Sequence, residues 1–340
     1  MPGFNYKVKQ ALILLLLIVL VLLSLRELYV FLPGLLGALT LYILSRGIYF
    51  QLIYHYKWRK GWSAGIFLLG YMLILVLIIY ATVVLLSPKI QHFFENPALM
   101  INAANDAITD IQKKTGLVFI TESSLSDLTK KLTDFIPTLI NSTADLIINL
   151  VVMLFMLYYM LVHGREMEDY LAHIIPLKKT NISVLASETK RLVKASAIGI
   201  PLISIIQGLT ASLGYFFFGV HEIALWGFLT AVFAFFPVVG TMIIWVPLVI
   251  FMYANGDSWN ATGLFLYSLI VTGNVDYLTR ITVLQKLGHV HPVVTVLGVL
   301  VGLGLFGFIG LIFGPLLVNY IILLFRIYTN EFLENNSSPG

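Results

Sequence analysis

A few polar residues that could do chemistry lie within otherwise apolar sequence, and two of them carry opposite charges. Asp276 and Arg280 are four positions apart, shortly after Asn274. On a helix this spacing places the carboxylate and the guanidinium on one face, close enough to pair. A charge is rarely retained in hydrocarbon without a function or a partner. Two interpretations follow: an interfacial ion pair that ends a helix, or an ion or proton site at Asp276 whose charge Arg280 balances.

The other polar residues of this region predict no metal site. Gln207 lies in the middle of an apolar run, where it would form either a helix–helix hydrogen bond or a contact with a solute. His289 and His291 are two positions apart, so on a helix they would point to different faces. We therefore expect solvated loop histidines and no bound metal.

The sequence predicts neither an enzyme nor a cofactor. It contains no His-Glu-x-x-His and no Gly-Lys-Ser/Thr of a nucleotide-binding loop, so the chain carries no ATP motor of its own. It also contains no cysteine, which excludes disulfides, thiolate catalysis and cysteine-based metal sites. No catalytic residue is expected.

Two apolar segments are interrupted by residues that break helices. One break is Pro237-x-x-Gly240, and the other is a series of glycines that ends at Gly314-Pro315 and includes Gly298, Gly302, Gly304, Gly307 and Gly310. Unwound backbone at membrane depth is tolerated where it is buried in protein or lines a cavity. A pair of such segments indicates a transport site near the midplane. The alternative is close helix packing through glycine, without a site.

The composition places these residues in a membrane. Of the 340 residues, 59% are apolar and 11% are charged, whereas an average soluble domain has about 25% charged residues. The net charge of +4 is spread along the chain and does not indicate nucleic-acid binding. We predict an all-α membrane protein, a polytopic bundle of about eight transmembrane helices with broken or re-entrant C-terminal helices and an extramembrane helical insert.

The apolar runs divide the chain into five predicted units. These are three N-terminal transmembrane helices (1–88), an extramembrane helical pair (89–144), a fourth span with a cytoplasmic amphipathic helix (145–194), a C-terminal transport core (195–330) and a disordered tail (331–340). The predicted spans are 11–25, 28–45, 62–86, 145–162, 198–219, 223–253, a seventh from about 261, and 293–327.

The basic residues predict the orientation. Lys7 and Lys9 precede the first span, and Lys57, Arg59 and Lys60 lie between the second and third. Short cytoplasmic loops are enriched in Lys and Arg. Both segments fall on one side if the N-terminus is cytoplasmic, and eight spans then leave the C-terminus there too.

The C-terminal third resembles the AI-2E transporter family, the autoinducer-2 exporter-type permeases. The resemblance rests on motifs in a fixed order: Gln207-Gly208, Phe236-Pro237-Val238-Val239-Gly240, Asn274-x-Asp276-x-x-x-Arg280, His291-Pro292 and Phe306-Gly307-x-x-Gly310-x-x-x-Gly314-Pro315. The motifs cover about residues 194–320, and the N-terminal part is similar only in its hydropathy layout. Tyr277 stands where many members have Asn, and Ile281 follows Arg280 where Pro is often found.

The resemblance implies a function and an environment. It implies eight spans in the bacterial cytoplasmic membrane, a homo-oligomer (a pentamer is favoured) and export of a small signalling molecule, or Na⁺/H⁺ exchange in some members. The family's motifs fall on Pro237, Gly240, Asp276, Arg280, Pro292, Gly307, Gly310 and Pro315.

Three hypotheses for the function follow. The first is a secondary transporter in which the broken segments frame a site and Asp276 couples the movement of Na⁺ or H⁺. The predicted path is formed by Gln207, Pro237, Gly240, Asn274, Asp276, Arg280, Pro292, Gly307, Gly310 and Pro315. The second is a passive oligomeric channel. The third is a membrane scaffold or sensor without flux, in which the pair at 89–144 binds a partner.

Overall fold

The computed structural model describes residues 6–95, 146–236, 240–288 and 292–329. Within these ranges every regular element is a helix, which confirms the predicted all-α class. Most of the insert predicted at 89–144, and the tail predicted at 331–340, lie outside the described residues.

Twelve helices, three of them preceded by a short turn of different pitch, make up the described chain. They are α1 (Tyr6–Leu28), α2 (Leu32–Tyr54), α3 (Lys60–Glu95), α4 (Leu146–Val162), α5 (Gly164–Ile174), α6 (Lys179–Phe217), α7 (Ile223–Phe233), α8 (Met242–Ala254), α9 (Ser258–Tyr267), α10 (Gly273–Gly288), α11 (Pro292–Phe306) and α12 (Gly310–Tyr328). The 3₁₀ turns Tyr29–Phe31 and Gly307–Ile309 precede α2 and α12, and the π turn Ser268–Thr272 precedes α10.

Four described helical segments are long and apolar enough to cross a membrane. They are Lys9–Tyr54, Lys60–Leu85, Lys179–Phe217 and Gly310–Tyr328, and α4 with α5 makes a fifth if that bent pair counts as one span. Membrane insertion is therefore supported, whereas the count of eight spans stays a prediction.

The first two predicted spans are joined into one helical segment. Arg26 lies in the last turn of α1, and the chain continues through the 3₁₀ turn into α2 without folding back. Lys9–Tyr54 has 46 residues, which gives a length of about 69 Å at 1.5 Å per residue. The turn expected near Arg26 is absent because the chain between the two helices contains no residue that stops a helix before Pro33, and proline is tolerated in a first helical turn.

Helix α5 leaves the direction of α4 sharply and is fastened to α2. The two helices meet at an angle of 86°. Arg46 donates from Nε and Nη2 to the Glu168 carboxylate, and the Tyr42 hydroxyl donates to Glu168 Oε1 at 2.7 Å. Burial by itself would raise the pKa of Glu168, but the hydrogen bonds from Arg46 and Tyr42 outweigh it and hold this pKa below its usual value. The corner is thus fixed by a charged contact.

The amphipathic segment predicted as a separate surface helix is part of a longer helix. Residues 182–194 form the first half of α6, which continues without a break to Phe217. Leu192 and Val193 are buried, and Thr189 hydrogen-bonds the hydroxyl of Tyr320 in α12. The packing of this apolar face against α12, instead of against headgroups, explains why the helix does not end near residue 194.

The long segment predicted at 223–253 is broken into α7 and α8, as the Pro237–Gly240 motif indicates. After α7 and α8 the chain packs against the residue that follows α6. The evidence is the close approach of α9 to Phe218, since a Cβ on Gly263 in α9 would lie 2.2 Å from the Phe218 ring. Val220 also belongs to the same buried cluster as Trp245 and Met252 of α8. With 11 residues, α7 is only about 16 Å long, which is too short for a bilayer core of about 30 Å. The segment is therefore either re-entrant or crosses as one kinked span formed by α7 and α8 together.

The glycine-rich block forms a second helical pair. A Cβ on Gly302 would lie 2.2 Å from the Gly310 carbonyl oxygen, and a Cβ on Gly314 would lie 1.9 Å from the Gly298 carbonyl oxygen. Because no side chain separates them, α11 and α12 touch through their backbones. Gly307 allows the sharp turn between the two helices with a φ of +60°.

The two broken segments meet against α6. Ile200 of α6 packs with Val299 and Leu311 of the glycine-rich pair, and the partly buried Phe235 and Phe236, which follow α7, pack on the same cluster. The residues that follow α7 thus contact the pair formed by α11 and α12. The outer faces of α1 and α3 are apolar and exposed, as expected for surfaces that face lipid.

Candidate functional site

A polar contact inside apolar packing joins α6 to α10. Gln207 is fully buried, and its side-chain Nε2 donates a hydrogen bond to Asp276 Oδ1. Asp276 is partly buried in the first turn of α10. The structure therefore brings together two residues that the sequence placed 69 positions apart, and it realises the helix–helix hydrogen bond that was one of the two interpretations of Gln207.

Antiparallel packing of α6 with α9 and α10 sets this contact. The Tyr267 hydroxyl donates to the Thr210 carbonyl oxygen at 2.9 Å. Gly214 leaves room for the Tyr267 ring, since a Cβ there would lie 2.4 Å from it. These contacts fix the distance between the helices one to two turns from Gln207.

The π turn Ser268–Thr272 directs Asp276 to the same interface. In an unbroken α-helix each residue turns about 100°, so the nine residues from Tyr267 to Asp276 would put their side chains on nearly opposite faces. A π turn holds more residues per turn and reduces this rotation. Both side chains consequently reach α6. Single π turns of this kind are frequent at functional sites.

Three buried side-chain oxygens beside this contact have no hydrogen-bond partner among the described residues. They are Gln207 Oε1, Ser204 Oγ and Thr272 Oγ1, on residues that are 0%, 2% and 1% exposed. Ser204 is one helical turn from Gln207, and Thr272 is one turn from Asp276. We call Ser204, Gln207, Thr272 and Asp276 the polar seam. Leaving a buried polar group unpaired costs about 1–3 kcal/mol, so such groups call for a functional explanation.

The polar seam offers two kinds of chemistry. The Asp276 carboxylate can take up and release a proton, which changes the charge between the helices. Carboxylate, amide and hydroxyl oxygens are also the donors that hard cations prefer. No cluster of three or more His, Asp or Glu residues that could hold a metal ion occurs in the described part of the chain.

The remaining predicted path residues fall into three places. Asn274 is exposed and donates to the Ile270 carbonyl oxygen at 2.6 Å, so it lies beside the polar seam without joining it. Gly310 and Pro315 lie at the contact with α11, opposite Gly302 and Gly298, and Gly307 lies in the turn before α12. A Cβ on Gly240 would lie 1.9 Å from the Phe233 carbonyl oxygen, which explains a glycine there.

Three predicted residues cannot be placed in the site. Pro237 lies outside the described residues, and of Arg280 and Pro292 only the backbone is described. The ion pair of Asp276 with Arg280 therefore stays a prediction. Helix α6 connects the polar seam with the broken segments. Ile200 contacts the broken segments, and Gln207 of the polar seam lies seven residues further on the same face of α6.

Sequence reasoning missed two members of the polar seam and one motif. The i, i+3 spacing of Ser204 to Gln207 and the i, i+4 spacing of Thr272 to Asp276 could have indicated the first two. The motif is Gly61-Trp62-Ser63-Ala64-Gly65, the Gly-x-Ser-x-Gly spacing of serine hydrolases. In those enzymes the serine is exposed on a turn between strand and helix. Here Ser63 is fully buried in the first turn of α3, so it presents no nucleophile.

Comparison with known proteins identifies the family of the chain. The family model described as AI-2E family transporter matches residues 12–330. A protein of Aquifex aeolicus is 25% identical over 187 residues, which are 54% of this chain and 52% of that protein. Its name describes it as an inferred transport protein. A similarly named protein of Pyrococcus horikoshii is 24% identical over 275 residues, 77% of this chain and 72% of its own.

A third relative gives the highest identity of these examples. The corresponding protein of Treponema pallidum is 30% identical over 178 residues, 51% of this chain and 42% of that protein. The matches to the Aquifex and Treponema proteins thus span about half of each relative's length. These names support a role in transport and specify no solute.

Proposed function

Because the chain belongs to the AI-2E transporter family, we propose that it is a permease that moves a small solute, such as a signalling molecule, out of the cell. The observation that carries the proposal is the buried contact between Gln207 and Asp276, beside three unpaired oxygens. Groups of this polarity are retained inside membrane helices where they contact a transported species or a partner. The nearby broken segments provide helix ends that can line a path.

Coupling to Na⁺ or H⁺ through Asp276 is part of this proposal. Protonation of Asp276 would remove the negative charge that Gln207 faces, and a bound cation would neutralise it. In either case the charge at the α6–α10 interface changes with the ion gradient. A two-state packing of these helices could then follow the ion, which is how a differential affinity shifts a conformational equilibrium.

The environment and assembly are proposed with the function. The chain would lie in the bacterial cytoplasmic membrane with both termini in the cytoplasm, as a homo-oligomer that we propose to be a pentamer. The basic loop at 57–60 supports a cytoplasmic position for that loop, and the exposed apolar residues of α1 support contact with lipid. Because Lys9–Tyr54 is one helical segment, a cytoplasmic N-terminus requires this segment to fold back in the membrane. A passive oligomeric channel is the second candidate function, and a scaffold or sensor without flux is the third.

The test is ion flux in proteoliposomes that contain the purified chain, with a pH-sensitive dye inside and an imposed pH or Na⁺ gradient. We expect flux above that of protein-free liposomes in the wild type and its loss in Asp276→Asn. Asn keeps the size of the side chain and removes its charge.

The matched control is Asp257→Asn. Asp257 caps α9, where its side chain accepts a hydrogen bond from the Asn260 backbone N–H, and asparagine caps helices as well as aspartate does. This variant should retain flux. Wild-type flux in a correctly inserted Asp276→Asn protein would remove Asp276 from the mechanism, and an ion-independent solute flux would favour the passive channel.

A further inference from the structure

A basic and aromatic corner lies at the ends of α2 and α4, away from the polar seam. Residues 55–62, which form the loop after α2 and the first turn of α3, contain three Lys or Arg residues and no acid. Their aromatic side chains Tyr56, Trp58 and Trp62 are 59%, 46% and 73% exposed. The loop joins two apolar helices directly, so it lies at headgroup level. Exposed Trp and Tyr are typical of this level.

A narrow cleft beside this loop is lined by groups that bind anions. Lys60, His163 and Arg165 line it, together with Tyr49, Tyr54 and Glu166. The Arg165 guanidinium lies 4.0 Å from the centre of the Tyr54 ring and 5.5 Å from that of Phe50. Stacking of this kind orients the guanidinium and leaves its N–H edge available. Neither Lys60 nor Arg165 forms an ion pair with any described residue.

The start of α3 adds to the positive potential at the cleft. The helix begins at Lys60, and its first turn contains no acidic residue. The positive end of the helix dipole is therefore not compensated by a neighbouring side chain. Glu166 is the acidic residue at the cleft, and it contacts His163 Nδ1 at 3.1 Å.

A separate, shallow apolar groove lies on α3 and begins at Gly61, the residue after Lys60 of the cleft. It is lined by Gly61, Trp62, Gly65, Ile66 and Leu69 and has a volume of about 330 Å³. Gly65 has open space where a Cβ would be, so the missing side chain forms the floor of the groove. Ile66 and Leu69 are 48% and 68% exposed and form its wall. We call the cleft and this groove together the α3 corner.

We propose that the α3 corner binds one anionic phospholipid, with the headgroup phosphate at Lys60 and Arg165 and an acyl chain in the groove on α3. The positive charge selects the headgroup, because basic pockets between membrane helices attract anionic lipids. The groove selects a lipid over a free anion, since it buries methylene groups next to the charged site. The lipid would fasten the α2–α3 loop to the corner between α4 and α5.

Native mass spectrometry of the detergent-purified full chain tests this proposal, with dioleoyl phosphatidylglycerol, dioleoyl phosphatidylcholine or inorganic phosphate added. We expect phosphatidylglycerol to bind about tenfold more tightly than phosphatidylcholine. The double variant Lys60→Gln/Arg165→Gln should lose this preference, whereas Lys190→Gln, an exposed cation outside the corner, should keep it. Equal retention of both lipids, or an unchanged preference in the double variant, would overturn the proposal.

The groove is tested by a second pair of variants. Gly65→Phe should fill the groove and reduce phosphatidylglycerol binding several-fold, and Gly70→Phe should leave it unchanged. Both glycines have open space at the Cβ position, so neither variant has a packing reason to misfold, but only Gly65 lines the groove. Identical binding by the two variants would exclude an acyl chain from this site. Displacement of the lipid by millimolar inorganic phosphate would identify a free anion as the occupant and would also contradict the proposal.

Discussion

The amide of Gln207 uses its nitrogen to bind Asp276, while its oxygen has no partner among the described residues. The same holds for the hydroxyl of Thr272, one turn before Asp276. If these oxygens had only a structural role, the interface would gain from their removal, because an unpaired buried hydroxyl is destabilising. Their burial without a partner is the reason that the proposed function gives them a role in transport.

Thr272→Val separates these roles. Valine has nearly the shape of threonine without the hydroxyl, so we expect the thermal unfolding midpoint in detergent to stay unchanged or to rise, with at most about 1–3 kcal/mol gained from removing an unpaired group. Ion-dependent flux in proteoliposomes should fall. Thr262→Val is the control, since Thr262 is exposed in α9 and remote from the seam. A lower midpoint together with full flux would show that the Thr272 hydroxyl is structural.

At the residue scale the sequence identified the polar positions but not their neighbours. Gln207 and Asp276 were recognisable because each interrupts an apolar run. Their contact could not be derived, since it depends on the π turn at Ser268–Thr272, and no residue type in that stretch specifies a π turn. The burial of Ser204 and Thr272 likewise depends on the antiparallel packing of α6 with α10.

At the scale of elements, the glycines of α11 differ in their surroundings. Gly302 faces the backbone of α12, where a Cβ would lie 2.2 Å from the Gly310 carbonyl oxygen, whereas Gly304 has open space. Gly302→Leu should therefore separate the two helices and lower stability by about 1–3 kcal/mol or more. Gly304→Leu should have no such effect. Thermal unfolding of the two detergent-solubilised variants measures the difference, and equal midpoints would refute backbone contact between α11 and α12.

The sequence predicted the breaks in helices better than their ends. The Pro and Gly residues in 223–253 and 293–327 indicated that the helices there are interrupted, because these residues act on the local backbone. The continuation of α1 into α2 and of the amphipathic segment into α6 was missed. The first depends on the lack of a helix-stopping residue and the second on packing against α12. Hydropathy alone places a span boundary wherever charges occur, as at Arg26 and Lys194.

At the scale of the whole molecule, the path of the chain through the membrane depends on whether the two ends of the segment 223–253 lie on the same side. The contact between Phe218 and Gly263 places the end of α6 beside the middle of α9, with α7 and α8 between them in sequence. His221 and Asn255, both exposed, therefore lie on one side of the membrane if the segment is re-entrant. If 223–253 crossed once, as a count of eight spans requires, they would lie on opposite sides.

Single-cysteine labelling distinguishes these two paths, and the chain contains no native cysteine that would interfere. We expect His221→Cys and Asn255→Cys to react with a membrane-impermeant maleimide from the same side of right-side-out vesicles. Ser183→Cys, near the other end of α6, should react only from the opposite side, because α6 spans about 58 Å over its 39 residues. Labelling of His221→Cys and Asn255→Cys from opposite sides would show that the segment crosses. In that case α7 and α8 would form one kinked span, as a count of eight spans requires.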